Sequence, residues 1–204
     1  MIKSYKLGEE LLEQVRRLPF RPSLLLHACC GPCSTYPLQL LNKIFNITVY
    51  YNNSNIYPLE EYEKRFINLK KYIDILNKQS ENEIKLIKCP YTGEEYSQKL
   101  EKRAFDREGG LRCRYCIALR MKDAFHYAFI NHFDYFTSTM SMSRQKDEQM
   151  VNQLGLSFQT KYPWTKFIVH NFKKKGGQEL GLALTKKYDL YQQLFCGCKF
   201  SRKT

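Results

Sequence analysis

Apolar positions along this chain alternate between helical and strand spacing. Leu11, Leu12, Val15 and Leu18 share one face of residues 9–18, which predicts an amphipathic helix stopped by Pro19. A short apolar run over 23–28 leads into CCGPCS at 29–34, and a helical pattern follows through Leu38, Leu40, Leu41 and Ile44. That order reads as strand, tight turn, helix. Residues 46–51 are β-branched and aromatic and run into the polar cluster 52–55, so they predict a second strand with a loop at its carboxyl end. A long helix over 59–78 places Tyr62, Phe66, Leu69, Ile73 and Leu76 on one face. Further strands are expected over 83–88 and 134–140, with helices over 96–104 and 117–131. Strands separated by helices imply an α/β fold, a parallel sheet covered on both faces by right-handed crossovers. Such sheets collect ligands at the carboxyl ends of their strands.

Three parts are expected: an N-terminal helical prelude (1–22), the α/β core (23–150), and a basic, mainly helical C-terminal segment (151–204) packed on the core. A chain of 204 residues, 43% apolar and 26% charged, can bury a core and is not disordered. Its apolar runs fall short of the roughly 18 residues a membrane helix needs, and its charged start lacks a signal-peptide core. A cytoplasmic protein with no membrane partner is expected.

Charge and cysteine sharpen the picture. Lys plus Arg number 33 against 20 acids, a formal charge of +13. Residues 161–204 hold ten of those bases against only Glu179 and Asp189, so a polyanion should touch there. Trp164, Phe167, Phe172, Tyr188, Tyr191 and Phe195 in the same stretch argue that it folds onto the core. Lys173, Lys174 and Lys175 are candidate phosphate contacts, although such a run is also an ordinary solvated face. Tyr50, Tyr51 and Tyr115 are candidates for stacking on a splayed base.

Eight cysteines occur, all in short motifs except Cys89. Cys29, Cys30 and Cys33 sit where the first strand turns into a helix, whose N-terminal N–H groups favour thiolates. Cys113 and Cys116 form a CxxC before the helix expected at 117. In a reducing cytosol such clusters point to metal or redox chemistry rather than structural disulfides. An iron–sulfur cluster held by four thiolates suits the pattern, and a structural zinc site is the alternative. Cys196-Gly197-Cys198 differs, because thiols one residue apart close only a small strained ring. Their disulfide should be readily reduced and reformed, as an electron relay requires.

Five motifs in this order resemble a known family: LLHACCGPCS at 25–34, GLRCRYC at 110–116, FTSTMSMS at 136–143 with Asp147 following, NFKKKGG at 171–177, and YDLYQQLFCGC at 188–198. Together they are similar to epoxyqueuosine reductase of the QueH type, over about 24–201. The resemblance implies a Rossmann-like domain of the adenine-nucleotide α-hydrolase group. In the ATP-using members of that group the loop after the first strand is rich in glycine, whereas here Gly31 is its only glycine. The implied activity is the last, cobalamin-independent step of queuosine biosynthesis, reductive removal of the epoxide oxygen from epoxyqueuosine at the wobble position of tRNA. The resemblance further implies a [4Fe-4S] cluster on Cys29, Cys30, Cys113 and Cys116, and a redox-active pair at Cys196 and Cys198. An additional mononuclear iron is expected in some members, with Cys33 as its candidate ligand.

On this reading His27 is a candidate donor to a cluster sulfur, beside the plainer role of a buried strand histidine. Asp147 is a candidate proton donor or iron ligand, beside a plain helix cap. The partners expected are tRNA carrying epoxyqueuosine in its anticodon loop and an unidentified electron donor. The rivals are an ATP-dependent tRNA-thiolating enzyme of the same superfamily and a zinc-stabilised RNA-binding module.

Overall fold

The structure, a computed structural model, describes residues 4–201; residues 1–3 of the expected prelude, and Arg202, Lys203 and Thr204 of the basic segment, lie outside them. Five strands make one parallel sheet: β1 (Ser23–His27), β2 (Asn46–Tyr51), β3 (Lys85–Lys88), β4 (Tyr135–Ser138) and β5 (Lys166–Phe167), in the order β3-β2-β1-β4-β5. The α-helices among the described residues are α1 (Ser4–Arg16), α2 (Gly31–Leu41), α3 (Leu59–Gln79), α4 (Gly93–Leu100), α5 (Leu111–Ile130), α6 (Glu148–Gln159) and α7 (Gly177–Lys187). The expected Rossmann-like α/β arrangement is borne out. No helix among the described residues is long and apolar enough to cross a membrane.

The central strand shows why these residues build this sheet. Successive side chains of a strand point to opposite faces. Leu24 and Leu26 accordingly pack with α1, α2 and α3, while Leu25 packs with α5 and α6 on the other face. A strand buried on both faces reads as an unbroken apolar run, which is what Leu24 to Leu26 present.

Two helix starts and one added strand bear on the site. α5 starts at Leu111 rather than 117, so Cys113 and Cys116 lie inside its first two turns instead of ahead of it. Gly110 caps it in an extended conformation, and the Asp106 carboxylate accepts the Arg112 N–H at 2.9 Å, satisfying one donor the helix start leaves open. α6 is capped by Asp147, whose carboxylate accepts the Gln149 N–H at 2.9 Å. β5 falls within the basic segment and pairs with β4, while α7 packs against α2, so that segment extends the sheet and one helical layer.

Strand order reverses between β1 and β4, whose carboxyl ends are neighbours with His27 opposite Ser138. That reversal opens the crevice in which doubly wound sheets bind their ligands.

Candidate metal and redox centre

Immediately after β1, Cys29 and Cys30 turn the chain into α2. Cys30 is the extended cap residue, and Pro32 sits in the first turn, where its missing N–H leaves no bond unmade. Cys33 follows one turn into the helix, on the same side. The Sγ atoms of Cys29, Cys30 and Cys33 all lie within 4.8 Å of one another. Two other segments fasten the group. The Cys29 N–H donates to Thr139 Oγ1 at 3.2 Å, and the Thr139 hydroxyl donates to Cys29 Sγ at 3.5 Å. Gln193 Nε2 donates to Cys30 Sγ at 3.1 Å.

These three thiols share charge. Hydrogen bonds from Cys30 and then Cys33 hold Cys29 well below the ordinary thiol pKa, against the cost of burial. Donating to Cys29 pushes Cys30 up to about 12 and Cys33 well above its usual value.

A second sulfur group faces a cavity of about 240 Å³, lined by Cys113, Cys116, Cys196, Cys198, Lys146 and Asp147 among others. The i, i+3 spacing on α5 turns Cys113 and Cys116 to one side. Burial raises the pKa of Cys113, and raises that of Cys198 to about 11. Cys196 and Cys198 straddle Gly197, whose φ of +99° favours glycine. Arg65 pins this loop by donating to the carbonyls of Cys196 at 2.9 Å and Phe195 at 3.1 Å, and the Tyr57 N–H donates to the Gly197 carbonyl at 2.8 Å. None of the eight cysteines forms a disulfide.

A narrow space of about 30 Å³, lined by Cys29, Arg120, Lys146 and Cys196, connects the two groups. Burial works against the Lys146 ammonium, but the Cys29 and Cys196 sulfurs outweigh it and keep its pKa raised. Arg120 lines both spaces. Its Nη1 donates to Asn53 Oδ1 at 3.1 Å, Asn53 in turn donates to the Ala28 carbonyl at 2.7 Å, and the buried Arg120 Nε has no partner. Clustered thiols faced by an unsatisfied buried cation fit a thiolate-bound metal cofactor.

The expected site residues meet unequally. Cys33 joins Cys29 and Cys30 directly, whereas Cys113 and Cys116 lie outside that close group and line the adjoining cavity with Cys196 and Cys198. His27 is fully buried, with Nδ1 at 2.9 Å from Ser138 Oγ and Nε2 at 3.4 Å from the Asn52 carbonyl, so its ring nitrogens face oxygen rather than sulfur. Burial, reinforced by Arg120, lowers its pKa to about 3, which leaves it neutral. Asp147 both caps α6 and lines the cavity. Lys173 turns inward to the carbonyls of Ser143 at 3.3 Å and Lys146 at 3.4 Å, Lys175 pairs with Glu9 at 3.0 Å, and Lys174 is exposed.

Arg120, Lys146 and Gln193 were not among the residues expected from sequence. Helix phase could have found Arg120, which follows Cys116 by four residues and so shares its face. Lys146 and Gln193 sit in loops and carried no periodic signal.

Comparison with known proteins identifies the family. The family model described as "Epoxyqueuosine reductase QueH" matches residues 24–204. The chain is 36% identical over 183 residues to the protein named epoxyqueuosine reductase QueH of Streptococcus pyogenes serotype M1, covering 90% of this chain and 71% of that protein. It is 33% identical over 198 residues to the Staphylococcus aureus (strain Mu50) protein of the same name, covering 96% and 82%. The Thermotoga maritima protein so named is 30% identical over 185 residues, covering 88% and 90%. On these matches the chain belongs to the epoxyqueuosine reductase QueH family.

Proposed function

We propose that this chain reduces epoxyqueuosine to queuosine in tRNA. The observation that carries the proposal is the meeting of two sulfur groups, seven cysteines in all, beside the β1/β4 crevice of a chain that belongs to this family. In the reaction both epoxide C–O bonds break, a carbon–carbon double bond forms, and the oxygen leaves as water after taking up two electrons and two protons. Oxidising the Cys196/Cys198 dithiol to its disulfide releases two electrons and two protons, so one dithiol balances one turnover. An external reductant then restores the pair.

Cys29, Cys30, Cys113 and Cys116 would hold a [4Fe-4S] cluster and Cys33 a further iron, which when bound supply one-electron transfer and Lewis acidity. The chain's own groups do the rest. Arg65 and Tyr57 hold the dithiol loop against the cavity. Asp147 stands at the cavity wall, where a proton can be passed to the departing oxygen. His27, being neutral, links the Ser138 hydroxyl and the Asn52 carbonyl and so ties together the ends of the strands beside Cys29.

The substrate arrives over a lip. Exposed Arg103, Leu111, Arg114 and Tyr115 line a hollow of about 510 Å³ that shares Arg114 and Met150 with the thiol cavity. Rings and guanidinium groups beside a deep site suit an unstacked anticodon base and its phosphates. Lys174 and Lys175 serve as outlying phosphate contacts.

The test is anaerobic purification with iron and sulfide analysis, followed by incubation with tRNA bearing epoxyqueuosine and mass spectrometry of the released nucleosides. Queuosine should appear with several turnovers per protein. Cys198→Ser should keep its iron and form little or no queuosine, because it lacks the dithiol that supplies the two electrons of a turnover. Iron-loaded protein that leaves the epoxide intact would overturn the proposal, and unchanged steady-state turnover by C198S would remove the dithiol from it.

A further inference from the structure

Arg120 is an arginine with no acid. Its side chain is 3% exposed, and none of the salt bridges among the described residues includes it. A guanidinium stays charged in proteins, and a buried charge needs a counter-charge. Its one hydrogen-bond acceptor is the neutral amide oxygen of Asn53, and its Nε is unpartnered. What surrounds it instead is sulfur: it lines the cavity of Cys113, Cys116, Cys196 and Cys198, and the narrow space of Cys29 and Cys196. The other groups acting on it are Lys146, also cationic, and the Tyr96 hydroxyl, which donates to the Cys116 carbonyl.

We propose that Arg120 is the counter-ion of the metal centre, a positioning residue that offsets the negative charge of the thiolate-bound group and raises its reduction potential. The inference rests on the cofactor reading given under the proposed function. Its physical basis is simple. Four thiolates bring four negative charges to one place, and reduction adds another electron. A fixed positive charge beside them favours the reduced state more than the oxidised one, and in a site screened from water that preference is large. Arg120 is well suited because α5 carries both it and Cys116 on one face. The hydrogen-bond chain from Arg120 through Asn53 to the Ala28 carbonyl also ties the cation to the residue before Cys29.

Reductive titration of iron-loaded wild type, Arg120→Gln and Arg120→Lys tests the assignment. R120Q should show a more negative midpoint potential, by about tenfold in the one-electron equilibrium or 59 mV, while R120K, which keeps the charge, stays near wild type. Iron-free R120Q should melt within about 2 °C of iron-free wild type, because without the metal group the charge has no special work there. R120Q that folds but loses iron, with iron retained by R120K, supports the same assignment. An unshifted R120Q potential overturns it, as does an R120K shift equal to that of R120Q. Iron-free R120Q that melts far below wild type, or fails to fold, marks Arg120 as scaffold and also overturns it. Wild-type protein that takes up no iron defeats the cofactor reading and this proposal together, whereas iron uptake with an unchanged R120Q potential defeats this proposal alone.

Discussion

His27 illustrates what burial does to one residue beside a charged site. Its ring is removed from water and sits in reach of the Arg120 charge, so the imidazolium form is disfavoured and the folded-state pKa falls to about 3. In the unfolded chain the same group titrates near 6.5. A depressed folded pKa means that stability is fully present above about pH 6.5 and is lost as pH falls toward 3, at up to about 1.4 kcal/mol per unit. His170, also lowered by burial, adds to the same acid sensitivity. His27→Gln should therefore narrow its stability gap to wild type as iron-free protein is unfolded in urea at pH 7, 6 and then 5. Parallel losses across that range would show that His27 does not set the slope. The cysteines were legible in the sequence because their spacing is short and local. The cations that face them were not, since a lysine or arginine looks solvated until distant elements close over it.

Among the elements, the dithiol loop has the clearest single support. Glu61 and Arg65 on α3 form a buried ion pair at 2.7 Å, with the Tyr191 hydroxyl donating to the carboxylate at 3.2 Å. The remaining Arg65 donors go to the carbonyls of Phe195 and Cys196. Arg65→Met would leave Glu61 buried without its partner and should cost roughly 3–5 kcal/mol in urea unfolding. Adding Glu61→Gln should recover part of that loss, and thiol reagents should label Cys196 faster in R65M than in wild type. Equal labelling rates would mean that the loop holds itself. Elements with a clean period were visible in advance: α3 was expected over 59–78 and runs Leu59–Gln79, and β2 matches 46–51. The start of α5 was missed because Arg112, Cys113, Arg114 and Cys116 occupy its first turns, and residues chosen for the cavity break the apolar period. β5 has only two ladder residues, too few to show alternation.

At the level of the whole molecule, net charge alone does not locate the RNA. Much of the basic segment's charge is spent internally: Lys173 on loop carbonyls, Lys175 on Glu9, and Lys199 on Glu94 at 3.2 Å and over the Tyr57 ring. The lip at the thiol cavity has fewer cations, yet it combines exposed Arg103 and Arg114 with the exposed Tyr115 ring. Phosphate contacts supply salt-dependent affinity, whereas stacking is nearly independent of salt. The two contributions can therefore be separated with an anticodon stem-loop RNA in filter binding from low to moderate salt. Tyr115→Ala should weaken binding about tenfold at every salt concentration, within the roughly 1–3 kcal/mol that stacking on an aromatic side chain contributes. Arg114→Gln should weaken it most at low salt and reduce the slope of log affinity against log salt by about 1. If both variants bind like wild type while Lys174→Gln and Lys175→Gln lose affinity, the RNA lies along the basic segment and the lip serves another purpose. If the lip variants lose binding as expected, the anticodon loop is held where its modified base needs only to turn inward past Arg114 and Met150 to meet the sulfurs.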